Sequence, residues 1–291
     1  MKKFIFDTVL IVVFSLILGE VVSRCLSLKN ETFDIRNYNS SPGQSIFYPN
    51  KKGYFVFGEP PFLHKTKFGL NDIGFNTTLD FKQFDDDKIN VSFIGDSFVE
   101  GFHVDTKYNF SSLLMKNSQK IQSYDFGCSN FNAINYHEVY EYYEMYKFDY
   151  VFVVLDIRDL TYEKPLRLVE RKNINYIYSN IHLLNYLDKT GAILKFLKVG
   201  NFVPMKLSKD QILDRRVKEL LEKPNLYVIT RDSESLDYLR ERNFQNIIEI
   251  DHVKRPIDFG SSERHYNSIG RENIVNSIFS HIKNNSKKIR K

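Results

Sequence analysis

The run Ile89-Asn90-Val91-Ser92-Phe93-Ile94, followed at once by Gly95-Asp96-Ser97-Phe98, decides the fold. Its first six residues include the β-branched and aromatic types that suit a buried strand. The glycine, acid and serine behind them mark a tight turn into a helix. Open α/β sheets gather their chemistry at the carboxyl ends of their strands, and this turn puts the Ser97 hydroxyl there. Serine in such a turn is also a common N-cap, so its meaning depends on whether a base and an acid follow elsewhere in the chain.

On either side, strand and helix patterns alternate. Tyr150–Leu155 reads as a continuous apolar strand, and 122–126, Leu226–Thr230 and 246–250 as further ones. Helical patterns cover Phe110–Asn117, with Asp105 or Thr106 as its cap, then 133–146, 210–222, 236–242 and 269–282. Strands alternating with helices imply right-handed crossovers and a parallel sheet covered on both faces. The expected fold is a doubly wound, flavodoxin-like α/β sandwich of three layers.

The 291 residues suffice for one such domain with additions. Residues 4–22 are almost wholly apolar; at about 1.5 Å per residue they make a helix that nearly spans a hydrocarbon core of about 30 Å. Lys2 and Lys3 precede it, which favours a cytoplasmic start and an extracytoplasmic domain, against the pull of Arg24 and Lys29. A cleaved signal peptide and a buried helix compete with this reading. The run passes through Gly19-Glu20-Val21-Val22-Ser23-Arg24-Cys25 without a small-x-small cleavage site, which favours a single-pass anchor over residues 1–25.

Residues 26–64, broken by Pro42, Gly43, Pro49, Gly53, Pro60 and Pro61, read as an irregular juxtamembrane segment. The catalytic-sized domain is expected over 65–285. Within it residues 161–206 depart from the alternation as a helical insertion, either an edge elaboration or a cap over the site. Residues 286–291 form a basic, solvated tail. Lys and Arg total 41 against 36 Asp and Glu, spread without a stripe, so nucleic acid is excluded as a partner. Cys25 and Cys128 alone make no disulfide framework.

A serine hydroxyl becomes a nucleophile when a base takes its proton and a third group holds the base. The candidates are Ser97, His265 and Glu263. Glu263-Arg264-His265 lies between the last strand and the last helix, at the same sheet edge as Ser97. Asp258 and Ser262 are alternatives to Glu263, which otherwise serves as a cap for the last helix.

With these residues in view the chain resembles the SGNH/GDSL hydrolase family over about residues 70 to 283. The resemblance rests on Gly95-Asp96-Ser97-Phe98 with Glu100-Gly101, on Asp125-Phe126-Gly127-Cys128-Ser129-Asn130, on Val154-Leu155-Asp156-Ile157-Arg158-Asp159, and on Glu263-Arg264-His265 with Asn267 and Gly270. Asn71-Asp72-Ile73-Gly74-Phe75 is similar to a segment of membrane-anchored members associated with cell-surface polysaccharides. The resemblance implies that Ser97 attacks an ester carbonyl, that His265 is the base, and that Glu263 orients it. It places the oxyanion donors at Ser97, Asn130 and Arg158, with Asp96 and Asp159 in support.

Two of those donors depart from the pattern. Asn130 occupies a glycine position; asparagine tolerates left-handed backbone, so its N–H survives there. Arg158 occupies an asparagine position, and a long, permanently charged guanidinium does not copy a short neutral amide. Either Arg158 meets the oxyanion or an anionic substrate, or activity is weak or absent.

Other signals fail. Gly95-Asp96-Ser97-Phe98-Val99 lacks the second glycine of an α/β-hydrolase elbow. His137-Glu138 lacks a partner histidine for zinc. His64, His103, His182, His252 and His281 read as surface or structural residues. The resemblance therefore implies, without cofactor or metal, an esterase or O-acyltransferase acting on ester-linked, chiefly acetyl, groups of cell-envelope or extracellular polysaccharide. The contrasting readings are an inactive glycan-binding or assembly protein of the same fold, and a flavin carrier.

Overall fold

The computed structural model describes residues 2–26, 31–32, 41–58, 63–129, 131–161, 181–183, 211–230, 232–248 and 265–286. The chain forms two compact units. One comprises Met1–Arg36, Gly53–Thr66 and Arg167–Val203; the other comprises Asn37–Lys52, Lys67–Leu166 and Pro204–Lys291.

The larger unit is a five-stranded parallel sheet. A separate two-stranded sheet pairs β1 (Lys52–Phe57) with β2 (His64–Gly69). The main sheet contains β3 (Ile89–Gly95), β4 (Ile121–Gly127), β5 (Tyr150–Leu155), β6 (Leu226–Thr230) and β7 (Ile247–Ile248), in the order β4-β3-β5-β6-β7. The chain leaves β3 for β4 on one side and returns to β5 on the other. The crevice between the carboxyl ends of β3 and β5 is thus the point where strand order reverses, the place such sheets use for ligands.

Every residue of β3, β4 and β5 is buried, because both faces are covered. Ile89, Val91 and Phe93 point to one face and pack with Phe110, Leu113 and Leu114 of α3 (Phe110–Asn117) and Ile274, Val275, Ile278 and Ile282 of the last helix (Ser268–Asn285). Ser92 and Ile94 point to the other, towards α4 (Ala133–Tyr143). The predicted strands and main helices are all present within the described residues. The 133–146 helix tightens to a 3-10 turn over Glu144–Tyr146 and stops at Lys147, which adopts a left-handed φ of 47°. Residues 249–250 of the last predicted strand, and nearly all of the predicted insertion at 161–206, lie outside the described residues.

The expected irregular stretch 26–64 needs correction. Lys52–Phe57 is a strand with Val56 and Phe57 buried, where the proline and glycine count had hidden a short apolar pattern. Order also begins before residue 65: Ile46 and Phe47 are core residues, and Phe47 meets Phe102 edge-on at 5.3 Å. Ser45 ties this loop down by donating to the Gly74 carbonyl at 2.6 Å.

In the smaller unit, α1 (Lys2–Cys25) is a 24-residue helix with a mean hydropathy of 2.4 over its most apolar window. It is long and apolar enough to cross a membrane. Near its carboxyl end Glu20 accepts hydrogen bonds from Arg24 Nε and from the backbone of His182 and Leu183.

Candidate active site

The site begins with the geometry at the end of β3. Asp96 is buried and its carboxylate accepts from the Phe98 N–H at 3.0 Å, which caps the short helix α2 (Ser97–Glu100). Gly101 ends that helix in left-handed conformation (φ 70°). Within this turn Phe98, Val99 and Glu100 are buried, and Ser97 alone is partly exposed. A Cβ at Gly127 would overlap the Glu100 backbone nitrogen, so only glycine lets the end of β4 approach α2 this closely.

Ser97 Oγ lies 2.7 Å from His265 Nε2. The two residues are 168 positions apart in sequence, and the fold alone brings them together. His265 sits just before the last helix, whose cap is Asn267, accepting from Gly270 N–H at 2.9 Å. The cap is therefore not Glu263. Glu263, Asp258 and Ser262 themselves lie outside the described residues, as does Asn130.

Among the described residues, two rings pack on His265. Phe98 lies 4.6 Å from it at 29°, and His103 lies 3.6 Å from it with the planes 10° apart. His103, read from sequence as a surface or structural histidine, is only 7% exposed and belongs to the site. The available signal was its spacing, six residues after Ser97 in the loop that closes the Ser97 turn.

The β5 end uses a parallel device. Asp156 accepts from the Arg158 N–H at 2.8 Å and caps α5 (Ile157–Thr161), while the wholly buried Asp159 accepts from the Asp156 N–H at 3.0 Å. The Arg158 side chain is 53% exposed and folds back so that Nε and Nη2 both meet Asp156 Oδ2, at 3.0 and 2.5 Å. The guanidinium predicted for the oxyanion is thus paired with the acid of its own turn.

Behind the Ser97 turn is a buried polar layer. Glu100 accepts from the Ser129 N–H at 3.1 Å and from its hydroxyl, pinning the loop after β4 to α2. Arg271 of the last helix is fully buried and donates from Nη2 to the Phe98 carbonyl at 2.6 Å, with its guanidinium 4.6 Å above the Phe110 ring. Burial lowers its pKa to about 10, opposed by the charge of Asp125. Asp125 is buried in β4, and that burial raises its carboxyl to about 7, against the hydrogen bonds from Ser111 and the charge of Arg271. Asn76, Thr77 and Asn109, from loops before and after the turn, complete this layer: Asn76 donates to the Glu100 carbonyl and Asn109 to that of Asn76.

A cavity of about 280 Å³ lies elsewhere, under α4 between Ser92, Phe126, Tyr140, Tyr143 and Phe148. Neither Ser97 nor His265 is among the residues that line it.

No protein-family model matches the chain, and no curated protein does. Solved structures of similar shape include a carbohydrate acetylesterase family member from Sinorhizobium meliloti (9% identical, 69% of this chain and 99% of that one, TM-score 0.37). A member of the lipolytic G-D-S-L family from Veillonella parvula is 13% identical over 66% of this chain and 96% of that one (TM-score 0.34). A mutant of an acetyl-xylooligosaccharide esterase from Geobacillus is 14% identical over 72% of this chain and all of that one (TM-score 0.35).

Proposed function

We propose that this protein is a serine esterase of SGNH/GDSL type that removes or transfers small acyl groups, acetyl foremost, on envelope or extracellular polysaccharide. The observation that carries the proposal is the 2.7 Å contact between Ser97 Oγ and His265 Nε2 at the strand-order reversal. His265 takes the hydroxyl proton as Ser97 attacks the ester carbonyl, and an acyl-serine forms as the sugar alcohol leaves with that proton. Water then releases the acid, or a second sugar hydroxyl takes the acyl group. The Ser97 backbone N–H and the loop around Asn130 serve the oxyanion, and Glu263 holds the histidine. The polysaccharide part of the proposal rests on the sequence resemblance around Asn71-Asp72-Ile73-Gly74-Phe75. Helix α1 serves as the anchor, with the domain on the extracytoplasmic side.

The test is hydrolysis of p-nitrophenyl acetate by the detergent-solubilised full chain beside Ser97→Ala. Turnover that vanishes with the substitution supports the esterase; turnover that survives it rules out this mechanism. One observation favours a second reading, a binding protein that retains the fold. Arg158, at the position where the resemblance implies an asparagine amide for the oxyanion, is paired with Asp156. Polysaccharide binding unaffected by Ser97→Ala, with no ester turnover, selects that reading.

A further inference from the structure

We propose that His103 is a positioning residue for His265, its buried ring serving as a flat ledge that holds the base's imidazole plane in line with Ser97. This deepens the reading of Ser97 and His265 as nucleophile and base, and rests on it.

The ledge is rigid. His103 is 7% exposed, between Phe102, which packs edge-on against Phe47 and Phe68 at 5.3 and 5.2 Å, and the buried Val104, whose N–H returns to the Gly101 carbonyl at 3.3 Å. The imidazole of His265 lies parallel to it at 3.6 Å, close to van der Waals contact over the whole ring. Turning His265 about its ring bond breaks that contact and swings Nε2 away from Oγ. The other packed ring, Phe98, comes from the same segment. The nucleophile and these two rings on its base are therefore carried on residues 97–103, so a shift of the turn moves all of them together.

The ledge also suits the reaction. When His265 takes the proton from Ser97 it becomes a cation, and the electron-rich face of Phe98, stacked on it beside the ledge, favours that cation. A triad carboxylate orients the base by a hydrogen bond to the ring edge; the ledge orients it by the ring face, an independent constraint.

The experiment compares His103→Phe with His103→Leu in the full-length chain. The two side chains differ little in hydrophobic character, and only phenylalanine keeps a flat face. His103→Leu is expected to lower kcat on p-nitrophenyl acetate by about 30-fold with KM within about twofold, within the loss known for small misplacements of reacting groups. His103→Phe is expected to stay within about threefold of the parent. A leucine variant with parental kcat, or a phenylalanine variant that falls as far as leucine, overturns the proposal.

A second readout is independent of turnover: the ¹⁵N resonance of His265 Nε2, which reports its bond to Ser97 Oγ. It is expected to move in His103→Leu and to hold in His103→Phe. If the parent chain hydrolyses no ester, the esterase reading fails, and this resonance still decides the ledge. An Nε2 signal unchanged in His103→Leu overturns it.

Discussion

Strands β3 and β5 lie side by side, paired from Val91 with Tyr150 to Ile94 with Val153, and each runs into an aspartate that caps a short helix. The backbone device is shared, and the chemistry it presents is opposite. After β3 the Asp96 carboxylate takes the Phe98 N–H, and the neutral Ser97 hydroxyl is left facing a histidine. After β5 the cap holds the Arg158 N–H and, in addition, that residue's guanidinium. A capped turn at a strand end is thus a mount. What it offers is set by the residue that follows the aspartate and by what else the aspartate must hold.

Substitution at equivalent positions of the two mounts gives the largest contrast. Ser97→Ala should lower kcat at least about 10³-fold, as removal of a nucleophile does, while Ile157→Ala should change it less than about threefold. Comparable losses at both positions would erase the distinction.

The β3 mount also rests on the strand that carries Asp125, and pH tests that support. With its folded pKa at about 7, above the ordinary carboxyl value of 3.8, Asp125 keeps a proton that the unfolded chain has already released. Its contribution to stability is full below about pH 4 and is lost as pH rises through about 7, an effect on the order of a few kcal/mol. Thermal melts should show the parent losing Tm relative to Asp125→Asn between those limits. Parallel curves would mean that Ser111 and Arg271 compensate the burial entirely.

A smaller effect separates the caps themselves. Asp96→Ala removes the cap to the Phe98 N–H, worth about 1 kcal/mol. Asp156→Ala removes a cap and an ion pair and should cost about 2 kcal/mol, read as a larger fall in Tm. Equal falls would show that the Arg158 pair adds nothing. The smallest effect belongs to Arg158→Asn: about 1 kcal/mol or less in stability, because the Arg158 side chain is half exposed. Its kcat should rise, since an amide replaces a guanidinium held by Asp156. A fall of about 10²-fold would instead place the guanidinium on the oxyanion.

The mount at β3 was legible in the sequence, because an apolar run followed by Gly95-Asp96-Ser97 fixes a strand and its turn by local chemistry alone. The same holds for β5 and for the long apolar helix. Strand β1 was not legible: its six residues bury only Val56 and Phe57, too little alternation to stand out among prolines. Nor was the role of His103, since stacking between residues 103 and 265 depends on how a loop is packed against phenylalanines far away in sequence. The turn of Arg158 towards Asp156 depends on a rotamer, which spacing does not encode.

At Gly127 the backbone of β4 rests on the backbone of α2 with no side chain between them. In a saturation library selected only for folding, that position should return glycine alone, while Cys128 and Phe126 beside it accept neighbours of similar volume. The turn that carries Ser97 therefore has a fixed floor. Directed evolution of new substrate preference would have to work through the walls of the crevice, and the height of the nucleophile is not a variable it can tune.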